Sequence, residues 1–421
     1  MAELKIGSKV RLTNGQTATV EKELGRGGQG IVYSVSLGGQ KMALKWYITA
    51  PDDKFYKNLG ENVKNGSPSE VFLWPEYLTE KQNGSYGYIM KLRPAGYYEF
   101  SSFLLAQHCF ESFQAMTVAA MEICEGFKKL HALGLSYQDL NDGNFFIDPK
   151  SGHVLICDND NVFPHGENSG IKGKARYMAP EVVKGQNPNA HTDKFSLAVI
   201  LFMLFYGNHP FEGARVNACP CMTEDFEKRF YGSEILFICD ENDNSNRPIR
   251  GIHNNVLRRW GLFPEVLRKT FLTEFSKDRL QNPTRRLTEL QWQQVIIAVR
   301  DSLVICPNCH METFVELGRE NKCMECGHKV QFQHTLLLDR RELILSEGNR
   351  IFIDRDEIPD IAVEVYPKDK SMLVLKNISS TKWSVETPSG RTNIVEPGGI
   401  MPVKPGLIIS FGSFNKKGTI K

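Results

Sequence analysis

No stretch of this sequence is apolar for long enough to span a bilayer; the most apolar long run, Phe195 to Tyr206, falls well short of the ~20 residues a membrane helix needs. The opening MAELKIGSKV lacks the basic start and apolar core of a secretion signal. A cytoplasmic chain with no membrane partner is expected. An excess of one charge is also missing. Lys and Arg number 51 against 49 Asp and Glu, so no global field recruits nucleic acid, which is not an expected partner. Internal repeats and low-complexity runs are absent. A disulfide framework is not indicated either, because Cys306, Cys309, Cys323 and Cys326 fall into paired C-x-x-C spacing, which in a reducing compartment reads as metal ligation. Cys219 and Cys221 flank Pro220, a redox or metal pair on one reading and a surface-loop coincidence on the other.

What is present suits several globular modules: 421 residues, 41% of them hydrophobic. From Val10 to about Tyr47, short Val- and Ile-rich runs are punctuated by Asn14-Gly15, Gly27-Gly28 and Gly38-Gly39, the pattern of an antiparallel sheet with tight turns. From Phe113 to Leu133 the apolar residues recur at three- and four-residue intervals, and Leu197 to Phe205 is apolar on nearly all sides. These predict helices, the second one buried. A last helix is expected near Leu287 to Leu303, and after Lys329 short strands follow one another as in a sandwich or barrel.

Two segments suggest phosphate chemistry. In Leu24-Gly25-Arg26-Gly27-Gly28-Gln29-Gly30 the glycines would let a strand–turn–strand backbone approach a polyphosphate. An ordinary hairpin turn uses glycine too, and Ile31-Val32-Tyr33 continues as strand, which excludes a dinucleotide fold. Met42-Ala43-Leu44-Lys45 then predicts a strand with one inward lysine, whose ammonium would hold phosphates as a point charge. A solvated lysine is the alternative.

The run from Leu130 to Asp148 contains Tyr137-Gln138-Asp139-Leu140-Asn141-Asp142-Gly143-Asn144, and Val154-Leu155-Ile156-Cys157-Asp158 follows it. With the glycine loop and Lys45, these segments resemble the protein kinase family, over roughly residues 10–300. Gly173 to Glu181 resembles the end of that family's activation segment, Asp193 to Leu197 the start of its central helix, and Arg286 the arginine that pairs with a glutamate such as Glu181. The resemblance implies a Mg²⁺·ATP-dependent serine/threonine kinase. Asp139 would accept or orient the substrate hydroxyl, Asn144 and Asp158 would bind Mg²⁺, and Lys45 would anchor the phosphates. Nucleotide contacts would come from Gly25, Arg26, Gly27, Gly28, Gln29, Gly30, Val32, Ala43, Lys45, Glu61, Met90, Lys91 and Arg93. Among these, Glu61 would pair with Lys45, though Asn58 better fits the spacing to Pro68. Met90 would lie behind the adenine, with core filler as its alternative.

The chain departs from that family's pattern at several places. Tyr137 and Gln138 replace its His and Arg, so no arginine clamps a phosphorylated loop. Asn141 replaces a lysine that contacts the γ-phosphate, which should slow transfer. Asn159 and Asp160 replace the Phe and Gly that follow the metal-binding aspartate. Asp160 is read here as a solvated turn residue in preference to a further metal ligand.

The four paired cysteines predict a Zn²⁺ ribbon with a bracing role, a redox pair being the alternative. Residues 334–421 resemble a forkhead-associated β-sandwich, a surface for a partner protein, although the phosphothreonine-reading serine and histidine are not identifiable. The expected organisation is multidomain α+β: a bilobal protein kinase fold over 1–303 (lobes about 1–90 and 91–303), a zinc ribbon over 304–333 and an all-β sandwich over 334–421. The whole resembles bacterial eukaryotic-like kinases with appended modules, acting on protein substrates that include itself. Two rivals stand beside this reading: an ATP-binding pseudokinase scaffold, and a nucleic-acid-binding regulator acting through the ribbon.

Overall fold

The computed structural model describes residues 3–168, 170, 173–354, 358–412 and 415–421. The chain forms two compact units: Met1–Glu111, Ala119–Val256 and Leu272–Trp292 in the first, Ser112–Val118, Leu257–Phe271 and Gln293–Lys421 in the second.

The first unit begins with an antiparallel sheet of β1 (Lys9–Arg11), β2 (Thr17–Arg26), β3 (Gly30–Leu37), β4 (Gln40–Tyr47), β5 (Tyr77–Leu78) and β6 (Gly87–Lys91), in the order β1-β2-β3-β4-β6-β5. Alternation along β4 fixes its two faces. Leu44 and Trp46 pack with Val10, Val20, Ile31 and Val35, whereas Ala43 and Tyr47 pack with Phe55, Leu59, Tyr88 and Met90. Lys45 shares this second face, and the register sets it opposite both Val32 and Tyr88.

Helix α1 (Asp53–Asn65) starts where the Asp52 side chain accepts from the Phe55 amide at 2.9 Å, and it buries Phe55 and Leu59 on that face. Later in the unit, the helix Ala190–Tyr206 is buried along nearly its whole length, as its apolar sequence predicts. A capping box between Asn189 and Thr192 starts it and Gly207, at φ +67°, ends it. Arg286 donates to both oxygens of Glu181, at 2.7 and 2.8 Å, in a buried pair.

A hairpin of Phe145–Ile147 and Val154–Ile156 positions the central residues of the unit. Its register places Phe145 opposite Ile156, so Asn144 and the Cys157-Asp158 step emerge together at one end, where the Cys157 amide donates to the Asn144 carbonyl at 2.9 Å.

The second unit contains two small hairpins, Leu303–Ile305 with Glu312–Phe314 and Asn321–Lys322 with Lys329–Val330. An all-β region follows. One of its sheets runs Arg341–Leu345, His334–Leu338, Lys416–Ile420, Ile408–Phe411, Trp383–Glu386, Thr392–Val395, and the other Arg350–Ile351, Ile361–Tyr366, Asp369–Asn377, Ile400–Pro402. Both contribute to one core that includes Leu336, Ile361, Leu375, Trp383 and Phe411. The strands at Thr392–Val395, Ile400–Pro402 and Lys416–Ile420 were not marked in the sequence by a comparable apolar run.

Candidate active site and cysteine cluster

The loop carrying Asp139 is held from below by the first turn of the Ala190–Tyr206 helix. Asp193 accepts from the backbone amides of Tyr137, at 2.6 Å, and Gln138, at 3.2 Å. The same carboxylate meets His131 Nε2 at 3.1 Å, and His131 Nδ1 meets Glu289 at 2.7 Å. Burial of the imidazole opposes its charged form, but its hydrogen bonds to the Asp193 and Glu289 carboxylates outweigh this and raise the His131 pKa to about 9. Gln138 takes a left-handed backbone, φ +69°, and its amide donates to the Glu167 carbonyl at 2.5 Å.

Asp139, Asn144 and Asp158 converge above this support. The Asn144 amide nitrogen donates to the Asp139 carbonyl at 2.9 Å and to the Tyr137 hydroxyl at 3.0 Å, so its oxygen is left as an acceptor. The Tyr137 hydroxyl in turn donates to the Cys157 carbonyl. Asp158 is also left-handed, φ +56°, and its side chain keeps 42% of its surface exposed. Burial, and then repulsion by Asp158, push the Asp139 carboxyl up to about 6, against the pull of Lys174 and a hydrogen bond from Asn141.

Lys45 reaches the same group from the sheet, with its ammonium 3.1 Å from Asp158 Oδ1. Two expectations are corrected at this point. Asp160 is not a solvated turn residue: it has no exposed surface. Its oxygens accept from Lys45 at 3.0 and 2.9 Å, from Tyr47 at 2.6 Å and from Tyr88 at 3.1 Å. Nor does Glu61 pair with Lys45, since it is exposed and the carboxylates on the ammonium are Asp158 and Asp160. The polar α1 residues that hydrogen-bond inward are amides. Asn58 and Asn62, four residues apart and so on one helix face, donate to the Val162 carbonyl at 2.8 and 3.0 Å. Burial opposes the charge of Lys45, but attraction to Asp160 and then Asp158 raises its pKa.

The glycine loop is the exposed turn between β2 and β3. Gly30 is required by the sheet, because a Cβ there would lie 2.7 Å from the Trp46 carbonyl oxygen; Gly25 and Gly28 border open space, and a Cβ at Gly27 would only touch the Gly30 carbonyl oxygen, at 3.9 Å. Arg26 is engaged by Glu3 and Glu23, Gln29 accepts from the Ile48 amide through its carbonyl at 3.1 Å, and Val32 is half-buried opposite Lys45. Ala43 and Met90 lie in the apolar cluster beneath. Lys91 is exposed at the end of β6, and the Arg93 guanidinium stacks 4.1 Å from the Phe146 ring centroid.

In the second unit, the four paired cysteines come together. Cys306 and Cys326 sulfurs are 3.7 Å apart, those of Cys309 and Cys323 are 3.6 Å apart, and all four lie within 4.8 Å of one another. None of the four forms a disulfide, whose sulfurs would be about 2.05 Å apart. A tetrahedral tetrathiolate with bonds of about 2.3 Å to Zn²⁺ would have edges of about 3.8 Å, so the cluster is compatible with that ion. The two C-x-x-C turns share one geometry. His310 and Gly327, each directly after the second cysteine, have φ +59° and +69°, and their amides donate at 2.9 Å to the Cys306 and Cys323 carbonyls.

The protein kinase domain family matches residues 18–288. Curated relatives include the protein kinase C delta type of Mus musculus, 28% identical over 205 residues that make up 46% of this chain and 30% of the relative. Another is the serine/threonine-protein kinase Sgk1 of Xenopus tropicalis, 33% identical over 112 residues, 26% of each chain. The chain thus spans about a third or less of the length of these relatives. With the family match running through the glycine loop, Lys45, Asp139, Asn144, Asp158 and Arg286, the chain belongs to the protein kinase family.

Proposed function

We propose that the chain is a serine/threonine protein kinase that transfers the γ-phosphate of Mg²⁺·ATP to a protein hydroxyl. The observation that carries the reading is the convergence of Asp139, Asn144 and Asp158 on one hairpin end with Lys45 beside them. Asn144 and Asp158 would hold Mg²⁺, since an amide oxygen and an accessible carboxylate are hard donors, and the ion would supply positive charge to offset that of the phosphates. Lys45 anchors the nucleotide phosphates, Gly25 to Gly30 cover them, and Met90, Lys91 and Arg93 border the adenine. Asp139 orients the acceptor hydroxyl and takes its proton. A cleft of about 1000 Å³, bordered by Lys174, Arg176, Met178, Glu212 and Tyr231, adjoins this loop and suits an acceptor peptide.

The missing arginine at Gln138 supports activity that does not depend on loop phosphorylation, and the neutral Asn141 supports slow transfer. The cysteine cluster is read as a zinc ribbon that braces its surroundings, consistent with a reducing cytoplasm, and the terminal β-region as a forkhead-associated-like surface for a partner protein. One observation favours the pseudokinase reading instead: Lys45 is already taken by two carboxylates. Incubation with radiolabelled ATP and mapping of labelled sites separates the two. Label on serine or threonine that Asp139→Ala removes supports the kinase, whereas nucleotide binding with no transfer to itself or to any protein supports the scaffold.

A further inference from the structure

The loop that carries Asp139 has a neutral amide, Asn141, two residues on, and so no cation of its own at that position. Another segment brings one to it. Lys174 Nζ donates to Asn141 Oδ1 at 3.0 Å. Asn141 Nδ2 points the other way, 3.1 Å from the Asp139 carbonyl and 3.4 Å from its Oδ1.

The main chain seats the lysine there. The Lys174 backbone amide faces the Asp139 carboxylate and favours its charged form. Gly173, just before it, approaches so closely that a Cβ would lie 3.2 Å from Asp139 Oδ1. The backbone of this segment therefore lies against Asp139 wherever the lysine side chain goes.

The charge of Lys174 is placed differently from that of Lys45. Lys45 is buried and shared between two carboxylates, Asp158 and Asp160. Lys174 is exposed and hydrogen-bonded to a neutral amide, so among the described residues no direct ion pair cancels its charge. During phosphoryl transfer, negative charge on the equatorial phosphoryl oxygens has to be met at the acceptor side as well as the nucleotide side, and a cation held beforehand lowers that barrier. Asp139, Asp158 and Asp160 bring three carboxylates to this region, which makes the need for such a cation greater.

We propose that Lys174 is a catalytic residue of this kinase, contacting the transferred phosphoryl group in place of a lysine at position 141, with Asn141 positioning its ammonium. The proposal rests on the kinase reading above. In the step it serves, the acceptor oxygen bonds to the γ-phosphorus while the bond to the bridging oxygen breaks, its electron pair leaving on ADP. The hydroxyl proton passes to Asp139. Lys174 stays protonated throughout and only compensates charge.

The test uses the full chain and four proteins: wild type, Lys174→Ala, Lys174→Met, and Lys174→Ala combined with Asn141→Lys. Both single variants should lose on the order of 100-fold in kcat with KM for ATP changed only a few-fold, and the double variant should recover at least about tenfold of that loss. Calorimetry with Mg²⁺ and a non-hydrolysable ATP analogue, against ADP, supplies a readout that needs no turnover: the single variants should bind the analogue several-fold more weakly and ADP unchanged. Wild-type kcat in both single variants, or equal losses for analogue and ADP, overturns the proposal. So does a double variant no faster than Lys174→Ala. If wild type itself transfers no phosphate, the kinase reading fails separately, and the analogue-to-ADP comparison still decides whether Lys174 contacts the γ-phosphate.

Discussion

The Lys45 ammonium lies 3.0 and 2.9 Å from the two oxygens of Asp160, a carboxylate with no exposed surface. Asp160 also accepts from Tyr47 and Tyr88, so four donor contacts offset the cost of burying its charge.

Removing one side of such a group leaves the other uncompensated. Asp160→Ala strips three buried donors of their acceptor and should destabilise the first unit by about 3–5 kcal/mol. Glu61→Ala, at an exposed position away from Lys45, should stay within about 0.5 kcal/mol of wild type. Urea unfolding followed by tryptophan fluorescence measures both. Equal midpoints for Asp160→Ala and wild type would refute the buried-carboxylate account.

Asp139 and Asp158 should fail differently when replaced. On the proposed reading, Asp158→Ala removes a hard anionic Mg²⁺ ligand as well as one partner of Lys45, so Mg²⁺-dependent nucleotide binding and transfer should fall together. Asp139→Ala should keep nucleotide affinity within a few-fold while kcat drops by at least about 100-fold. Titration calorimetry with Mg²⁺·ADP, beside single-turnover rates, checks the split; nucleotide affinity lost equally in both variants would contradict it.

His131 makes the support of the Asp139 loop sensitive to alkali. Its folded-state pKa is raised to about 9 from an ordinary value near 6.5. The stabilisation is therefore complete below about pH 6.5 and is lost as pH climbs through about 9, with a ceiling of roughly 3 kcal/mol. The wild-type advantage over His131→Gln in urea should accordingly be large at pH 6 and small at pH 10. An advantage independent of pH would mean that the imidazole acts through packing alone.

The cysteine cluster should hold close to one zinc per chain. Cys306 and Cys323 are buried with Val304, Val315, Val330 and Ile344, so chelation or Cys306→Ser should open this small core and expose it to protease. ATP binding by the first unit should persist. Metal analysis that finds no zinc, together with a Cys306–Cys309 disulfide in protein purified under reducing conditions, would exclude the ribbon.

Some of this was legible in the sequence for clear reasons. The helices at Phe113–Ala132 and Ala190–Tyr206 follow the apolar pattern, and Asp139, Asn144 and Asp158 come together because a short hairpin lies between the last two. Asp160 was misread because burial is not a property of a carboxylate's neighbours in sequence; its three donors lie 72 to 115 residues away. A signal did exist. Lys45 and Tyr47 stand two apart on one strand, and Tyr88 opposes Lys45 across the sheet, so three polar tips point into one face and need an acceptor. For Lys174 there was no comparable signal, since its approach to Asn141 depends on the path of an irregular segment.

The pair of amides on α1 bears on what a ligand beside Lys45 would meet. Because Asn58 and Asn62 grip the Val162 carbonyl while Lys45 is held by Asp160, a compound that wedges α1 outward breaks two neutral hydrogen bonds and leaves the lysine's salt bridge intact. A compound extended past Lys45 meets the phenols of Tyr47 and Tyr88 and a fully shielded carboxylate. An apolar group driven to that depth would break those hydrogen bonds without replacing them, and should bind poorly there.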